Sequence, residues 1–596
     1  MTQRGSTAVD EEPESAGTQD AGSGPATPVL RASSAIPKWL ILGGALVTVG
    51  YLTLTPVVFL LWRMVTDQDG FLTGANLTQA YTDTGIADLT VNTLVFVFGA
   101  TAVGMGTGTA LAYVHARTNI RFKRALLILS LGPLVLPGLL YTTAWILLGA
   151  RRSGILNMMT DQLFGVRPFD IYSMPGMIWV EGVSLSPLCY LLMLAGFYSM
   201  DHSLEEAAFA SGARLPRVLR KVTFPLMKPA FLAATLLTIV RTLEGFEVPA
   251  LLGIPAGIWV FASRIWEEVT GFPPNIGVAC AYGSMVMLVA MALTALQRYY
   301  VSIGGEKAVQ TISGKGFAPR PRELSRGWRV CTEVVVLVFL VATIILPTLT
   351  LIYSSLLPLN MVPSEKAFQS MSLDNYRAVL EHDAVRTGTV NSLILAPASA
   401  TAVMALVSIA AWIVIRTRVR GRGIFDVLTL LPITVPGIAL GLSLLVVYLR
   451  VPLPIYGTLA ILFVAYVTKF LPFGMRFATT SMYQVHSDLE ESALVSGASW
   501  TLTFRRVILP LVMPGIVAGW VYVAMVSVRE LSSSVLVYSP GSEVIGVAMW
   551  QLSVATEYNQ LAALGNLMIL ALCVLATIAQ VARRYAGAGF ERGGGL

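Results

Sequence analysis

Eight ionisable side chains of this 596-residue chain fall inside, or at the edge of, long apolar runs. Arg241, Glu244 and Glu247 lie in the run 230–253, and Arg529 and Glu530 in the run 512–538. Lys469 and Arg476 lie in 457–481, and Glu181 in 177–199. A charge at a bilayer centre costs about 2.5–3.5 kcal/mol even on the lenient scale, so such residues usually face a cavity or a partner. Arg241 and Glu244 are three residues apart, which puts them on one helical face. These positions predict a polar route lined by Arg241, Glu244, Glu247, Arg529, Glu530 and the nearby phenol of Tyr538. Structural ion pairing, or snorkelling of the charges to the outer surface, is the other reading.

No other constellation carries chemistry. A phosphate-binding G-x-x-x-x-G-K-[ST] loop is absent from the sequence. The nearest string, Ser313-Gly314-Lys315-Gly316, lacks the upstream glycine and the hydroxyl that would reach Mg²⁺. Four scattered cysteines read as small core residues, and the four histidines have no metal-motif spacing. The expectation is a chain with no catalytic residues, no cofactor and no metal site of its own.

A second feature is a duplication. Leu204–Ala230, LEEAAFASGARLPRVLRKVTFPLMKPA, returns 285 positions later as LEESALVSGASWTLTFRRVILPLVMPG, Leu489–Gly515. Twelve of the twenty-seven positions are identical, too many for a chance amphipathic loop. Ser203 with Glu206, and Asp488 with Glu491, have capping-box spacing. A short helix of about eight residues should follow and end at Gly212 or Gly497, where φ > 0 is wanted. Counted back from these loops, Glu244 falls within one residue of Glu530.

The elements that must position these residues follow from composition. The chain is 55% hydrophobic and only 13% charged, against about 25% charged in a soluble domain. Apolar runs of membrane-crossing length lie at 39–62, 89–114, 125–149, 177–199, 230–253 and 277–299. A second set lies at 330–356, 390–415, 424–450, 457–481, 512–538 and 561–582. The predicted fold is all-α and polytopic, with about twelve spans as two parallel six-helix repeats. Asn92/Asn391, Arg117/Arg416, Pro133/Pro432, Pro137/Pro436 and Gly138/Gly437 match at an offset of 299. The first half therefore carries about fourteen extra residues, within 151–176. Both Pro-x-x-x-Pro-Gly strings should kink the third and ninth spans.

Five segments are expected. A disordered tail occupies 1–36, a first membrane domain 37–300, a linker 301–328, a second membrane domain 329–585 and a short tail 586–596. The net charge of +7 does not point to nucleic acid, because Lys and Arg sit in short loops beside apolar spans. Arg117, Arg121, Lys123 and Arg124, their counterparts from Arg416 to Arg422, the linker and the C-terminal arginines fall on one side. That side is cytoplasmic, with both termini and both repeated loops.

The pattern Glu-Ala-Ala, a following Gly, a basic stretch and Phe-Pro or Leu-Pro resembles the loop of type I ABC importer permeases of the binding-protein-dependent class. The resemblance covers residues 37–585 and is to the double-length form. Arg529-Glu530-Leu531-Ser532-Ser533-Ser534 and the counterpart Glu244-Gly245-Phe246-Glu247-Val248-Pro249 are similar to the ferric iron group; the order Gly-Phe-Glu departs from that group's pattern. Ser492 departs mildly from the loop pattern too.

The resemblance implies that Glu205, Glu206, Ala207, Ala208, Gly212, Glu490, Glu491, Ala493 and Gly497 form coupling helices. It implies a dimer of ABC ATPase subunits on the cytoplasmic side, an extracytoplasmic solute-binding protein, and residence in a bacterial cytoplasmic membrane. The cargo it suggests is ferric iron, with thiamine, a polyamine or an oxyanion as alternatives. A proton- or sodium-coupled carrier using Glu244 and Glu530 would leave the two loops unexplained.

Overall fold

The computed structural model describes residues 35–130, 132, 136–200, 203–308, 323–417, 421–451 and 453–593. The chain is an all-α, multi-pass membrane protein. Among the described residues the only β pairing is an isolated bridge between Thr66 and Leu72. Among the described residues, ten helices are long and apolar enough to cross a membrane, five in each half. The first half contributes Gly43–Met64, Ile86–Arg117, Met174–Ser199, Leu215–Glu244 and Ile276–Tyr300. The second contributes Arg326–Ser355, Asp383–Arg416, Leu459–Gln484, Thr501–Val528 and Tyr558–Leu575. Counting two bent helix pairs as spans raises the total to twelve.

The expected third and ninth spans are not continuous. Arg422–Thr434 meets Gly437–Arg450 at 105°, a sharp break rather than a kink. Pro436 has ψ 141°, so the chain turns extended before the helix restarts at Gly437. Proline lacks the N–H that would continue the earlier helix and disfavours α geometry in the residue before it. Pro137 does the same at ψ 143°, ahead of Gly138–Gly149. Pro133 lies outside the described residues, as do half of the 301–328 linker and nearly all of the 1–36 tail.

The expected fifth and eleventh spans are shifted. They start at Leu215 and Thr501 and stop at Glu244 and Val528. Glu247, Arg529 and Glu530 therefore stand just past long helices, not on them. The chain after Glu244 forms a further bent pair, Pro249–Ala256 and Phe261–Thr270, at 79°. Sequence periodicity gave no hint of this pair, because both arms are short.

Four π-turns share one cause. Leu219–Thr223, Pro249–Gly253, Val341–Ile345 and Phe504–Ile508 each end one residue before an X-Pro step. The prolines are Pro225, Pro255, Pro347 and Pro510. Proline cannot donate to the carbonyl four residues back. The residue before it donates five back instead, as Phe224 N–H does to Leu219 and Leu509 N–H does to Phe504. A single wide turn thus keeps the helix going past Pro225, Pro347 and Pro510.

The halves interlock. Ala35–Met64 packs on Gly437–Arg450, and Leu346–Ser355 packs on Gly138–Gly149. The first helix of each half thereby closes over the broken helix of the other. Tyr141 donates to the Thr343 carbonyl at 2.8 Å, and the Tyr51 and Tyr448 hydroxyls meet at 2.9 Å. Phe246 and Trp550 stack with centroids 5.4 Å apart. One buried apolar cluster runs through both halves.

Candidate functional site

Where the halves meet, a cavity of about 280 Å³ opens between the two broken helices. Its first-half wall is built by three segments. Met174–Ser199 supplies Glu181, Ser184 and Leu185, whose three- and four-residue spacing puts them on one face. The C-terminal end of Phe224–Glu244 supplies Arg241 and Glu244, and the turn beyond supplies Glu247. The break at Pro137-Gly138 and the ring of Tyr141 complete it. The second-half wall has Lys469, Phe470 and Phe473 from Leu459–Gln484, Tyr522 and Val526 from Leu509–Val528, then Arg529, Glu530 and Ser532. Four carboxylates thus face three bases.

Most of these charges are tied. Arg241 Nη1 lies 3.2 Å from Glu244 Oε2, and its guanidinium sits 5.2 Å from the Phe473 ring centre. Lys469 Nζ lies 2.7 Å from Glu530 Oε1. The same oxygen accepts the Ser533 N–H at 2.9 Å and the Ser533 hydroxyl at 3.0 Å. Gly437 makes room for this pair: a Cβ there would stand 2.6 Å from Lys469 Nζ and 2.7 Å from Ser532 Cβ.

Five of the six residues expected on the route line the cavity: Arg241, Glu244, Glu247, Arg529 and Glu530. Tyr538 does not; it caps the short helix Ser534–Val537, donating its N–H to Ser534. Arg476 is exposed and does not line the cavity. Lys469, Glu181 and the paired glycines were visible in sequence only as intramembrane charges and helix breakers. The signal that could have placed Lys469 is its four-residue spacing to Phe473 and its register with Ser184, 285 positions earlier.

The repeated loops lie far from the cavity. Phe224–Glu244 has 21 residues. At 1.5 Å per residue it spans about 31 Å, the thickness of a hydrocarbon core. The loops form the short helices Ser203–Ala210 and Ser487–Val495. Gly212 and Gly497 follow at φ 78° and 83°. Ala213 N–H donates to Ala208 and Gly212 N–H to Phe209, the pair of bonds of a Schellman stop. Ala498 N–H repeats the first bond to Ala493.

Glu206, Ala207 and Glu491 are exposed, Glu490 is half-buried, and Ala208 and Ala493 are partly covered. Glu205, on the same short helix, is turned inward and buried. It pairs with buried Arg117 at 3.1 Å and accepts a hydrogen bond from Thr223. It pins the short helix to the first bundle, where a free helix of this length would be marginal. Arg416, the counterpart of Arg117, donates to the carbonyls of Met482 and Val485 instead.

Two helical repeats closing on one polar cavity, with loops projecting from the opposite end, define an integral-membrane permease. The family of binding-protein-dependent transport system inner membrane components matches residues 102–302 and again 403–590. The chain belongs to this family, in double-length form, and is an importer permease of the inner membrane. A Haemophilus influenzae chain named for ferric transport, FbpB 1, is 26% identical over 453 residues, spanning 75% of this chain and 68% of that one. The ferric transport system permease protein FbpB of Actinobacillus pleuropneumoniae is 23% identical over 491 residues, spanning 81% and 70%. A solved bacterial ABC transporter that imports the acidic polysaccharide alginate overlaps 47% of this chain and 99% of its own, at 16% identity and TM-score 0.39.

Proposed function

We propose that this chain is the permease of an ATP-driven importer whose cargo is ferric iron, and that the cargo crosses through the cavity between the halves. The observation that carries the reading is the convergence of four carboxylates there, hard oxygen donors suited to a hard cation. Similarity to two permeases named for ferric transport, across both halves, supports the cargo. The chain has no ATPase motif, so a dimer of separate ATPase subunits supplies the hydrolysis.

On this reading those subunits seat on the exposed faces of Ser203–Ala210 and Ser487–Val495, with Glu206, Ala207, Glu490 and Glu491 near the contact. Glu205 acts from behind, by holding the first loop. A solute-binding protein delivers the cargo on the other side. Both termini, the 301–328 linker and both loops are cytoplasmic, and 37–300 and 329–585 are the two permease domains.

The test is uptake of radiolabelled ferric iron in a deletion strain and its complement, with thiamine and sulfate in parallel. Iron uptake should vanish in the deletion and return with the gene. Loss of thiamine or sulfate uptake with iron unchanged would replace the cargo and leave the importer.

A further inference from the structure

We infer that the cavity's open cation seat lies on the first-half wall, at Glu181 and Glu247, and not at the sequence-matched pair Glu244 and Glu530. The inference rests on the importer reading and deepens it by naming which carboxylates meet the cargo. The matched pair is already occupied. Glu530 holds Lys469 and both Ser533 donors on one oxygen, and Glu244 holds Arg241. A cargo cation would have to displace a tethered protein cation to reach either.

Glu181 is different. It is 8% exposed, lines the cavity, and its carboxylate has no hydrogen bond or ion pair among the described residues. A buried carboxylate without a partner is unfavourable, and inside a membrane protein such groups mark a working position. Glycine frames it: a Cβ on Gly245 would stand 3.1 Å from Glu181 Oε1. Glu247 lines the same wall, also without an ion pair among the described residues. Its carboxyl carbon lies 3.5 Å from where a Gly138 Cβ would stand. Both carboxylates thus line the cavity without a base of their own among the described residues.

The chemistry fits a stopover rather than a store. Carboxylate oxygens suit a hard cation. No three acidic, His or Cys side chains converge to hold a metal among the described residues. Two carboxylates are enough to admit a cation and too few to trap it, which is what conduction requires. Arg241, Lys469 and Arg529 line the same cavity and repel a bound cation, which speeds its departure.

The test uses the purified full-length chain in detergent and terbium(III) as a hard trivalent probe. Tyr141 and Tyr522 line the cavity and can sensitise terbium luminescence. The wild type should give a saturable signal, and Glu181→Gln with Glu247→Gln should weaken it about tenfold or more. Glu181→Asp, which keeps the charge, should retain most of the binding. An unchanged terbium affinity in the double variant, eluting as the wild type does, overturns the inference.

A second arm measures ferric uptake in proteoliposomes carrying the chain, its ATPase and its binding protein. The double variant should lose maximal rate, while the binding-protein concentration at half-maximum stays fixed. Loss of rate with a matching loss of folded protein would mean a structural role and overturn the inference. A wild type that takes up no iron would instead overturn the cargo, whatever the terbium result.

Discussion

At positions 285 residues apart in the two halves, Glu181 corresponds to Tyr466, Ser184 to Lys469, Gly245 to Glu530 and Glu247 to Ser532. The helices that carry them repeat, but the side chains do not. Where the first half has a carboxylate without a partner among the described residues, the second has a buried phenol whose hydroxyl meets that of Ser534 at 2.9 Å. Where the first wall has a serine, the second has an ammonium bound to a carboxylate that the first wall replaces with glycine. Duplication supplied a symmetric frame, and divergence neutralised the second wall's one carboxylate with Lys469 while leaving Glu181 and Glu247 on the first wall without an ion pair among the described residues. A symmetric cavity of matched carboxylates would repel itself or bind cargo too tightly. The observed one sets three carboxylates against one base on the first wall, and one carboxylate against two bases on the second.

The largest expected effect breaks the neutralised wall. Glu530→Gln leaves the Lys469 ammonium, only 19% exposed, without its counter-charge. Removing one partner of a buried pair destabilises by about 3–5 kcal/mol. The variant should lose most of its thermal stability in detergent. Lys469→Met added to Glu530→Gln should recover most of it, since an apolar replacement of a buried pair is often neutral. Full stability in Glu530→Gln alone would remove the distinction between the walls.

A smaller effect uses the matched glycines. Gly437→Ala forces Ser532, 2.7 Å from the new Cβ, to shift. Such overpacking costs about 1–3 kcal/mol. Gly138→Ala meets nothing nearer than 3.5 Å and should be tolerated within about 0.5 kcal/mol. Unfolding midpoints of the two variants, measured side by side, give the comparison directly. Equal midpoints would show that the walls are packed alike.

The smallest effect on stability tests where the halves should agree. Gly212 and Gly497 have φ 78° and 83° with open space where a Cβ would stand. A left-handed conformation costs an L-residue about 1–2 kcal/mol. Gly212→Val and Gly497→Val should each distort a loop without preventing insertion. Each should lower ATPase copurification and uptake to a similar degree. If only one does so, the loops are not equivalent in coupling.

The repeat, the all-α membrane class, the loop helices and their glycine stops were legible in the sequence. Each rests on local chemistry: apolar length, capping spacing, and the φ > 0 that glycine alone adopts freely. The charged residues of the cavity were also visible, because charge inside an apolar run has few neutral explanations. The breaks in the third and ninth spans were underestimated. A proline pair signals a bend, but its angle depends on what the second arm packs against, here the first helix of the other half. The inward turn of Glu205 depends likewise on Arg117, 88 positions earlier, and on Thr223.

Tertiary structure decided that Glu530 is tied and that Glu181 is left without a partner among the described residues. Sequence equivalence paired Glu244 with Glu530 and made them look like the working pair. The Arg241–Glu244 pair is local, three residues apart on one helix, but Lys469 reaches Glu530 across 61 positions and between two segments. No local pattern encodes that distance. The sequence by itself determined that charges would meet inside the membrane. Only the packing of the two halves determined that Lys469 would neutralise Glu530 and that Glu181 would be left facing open space.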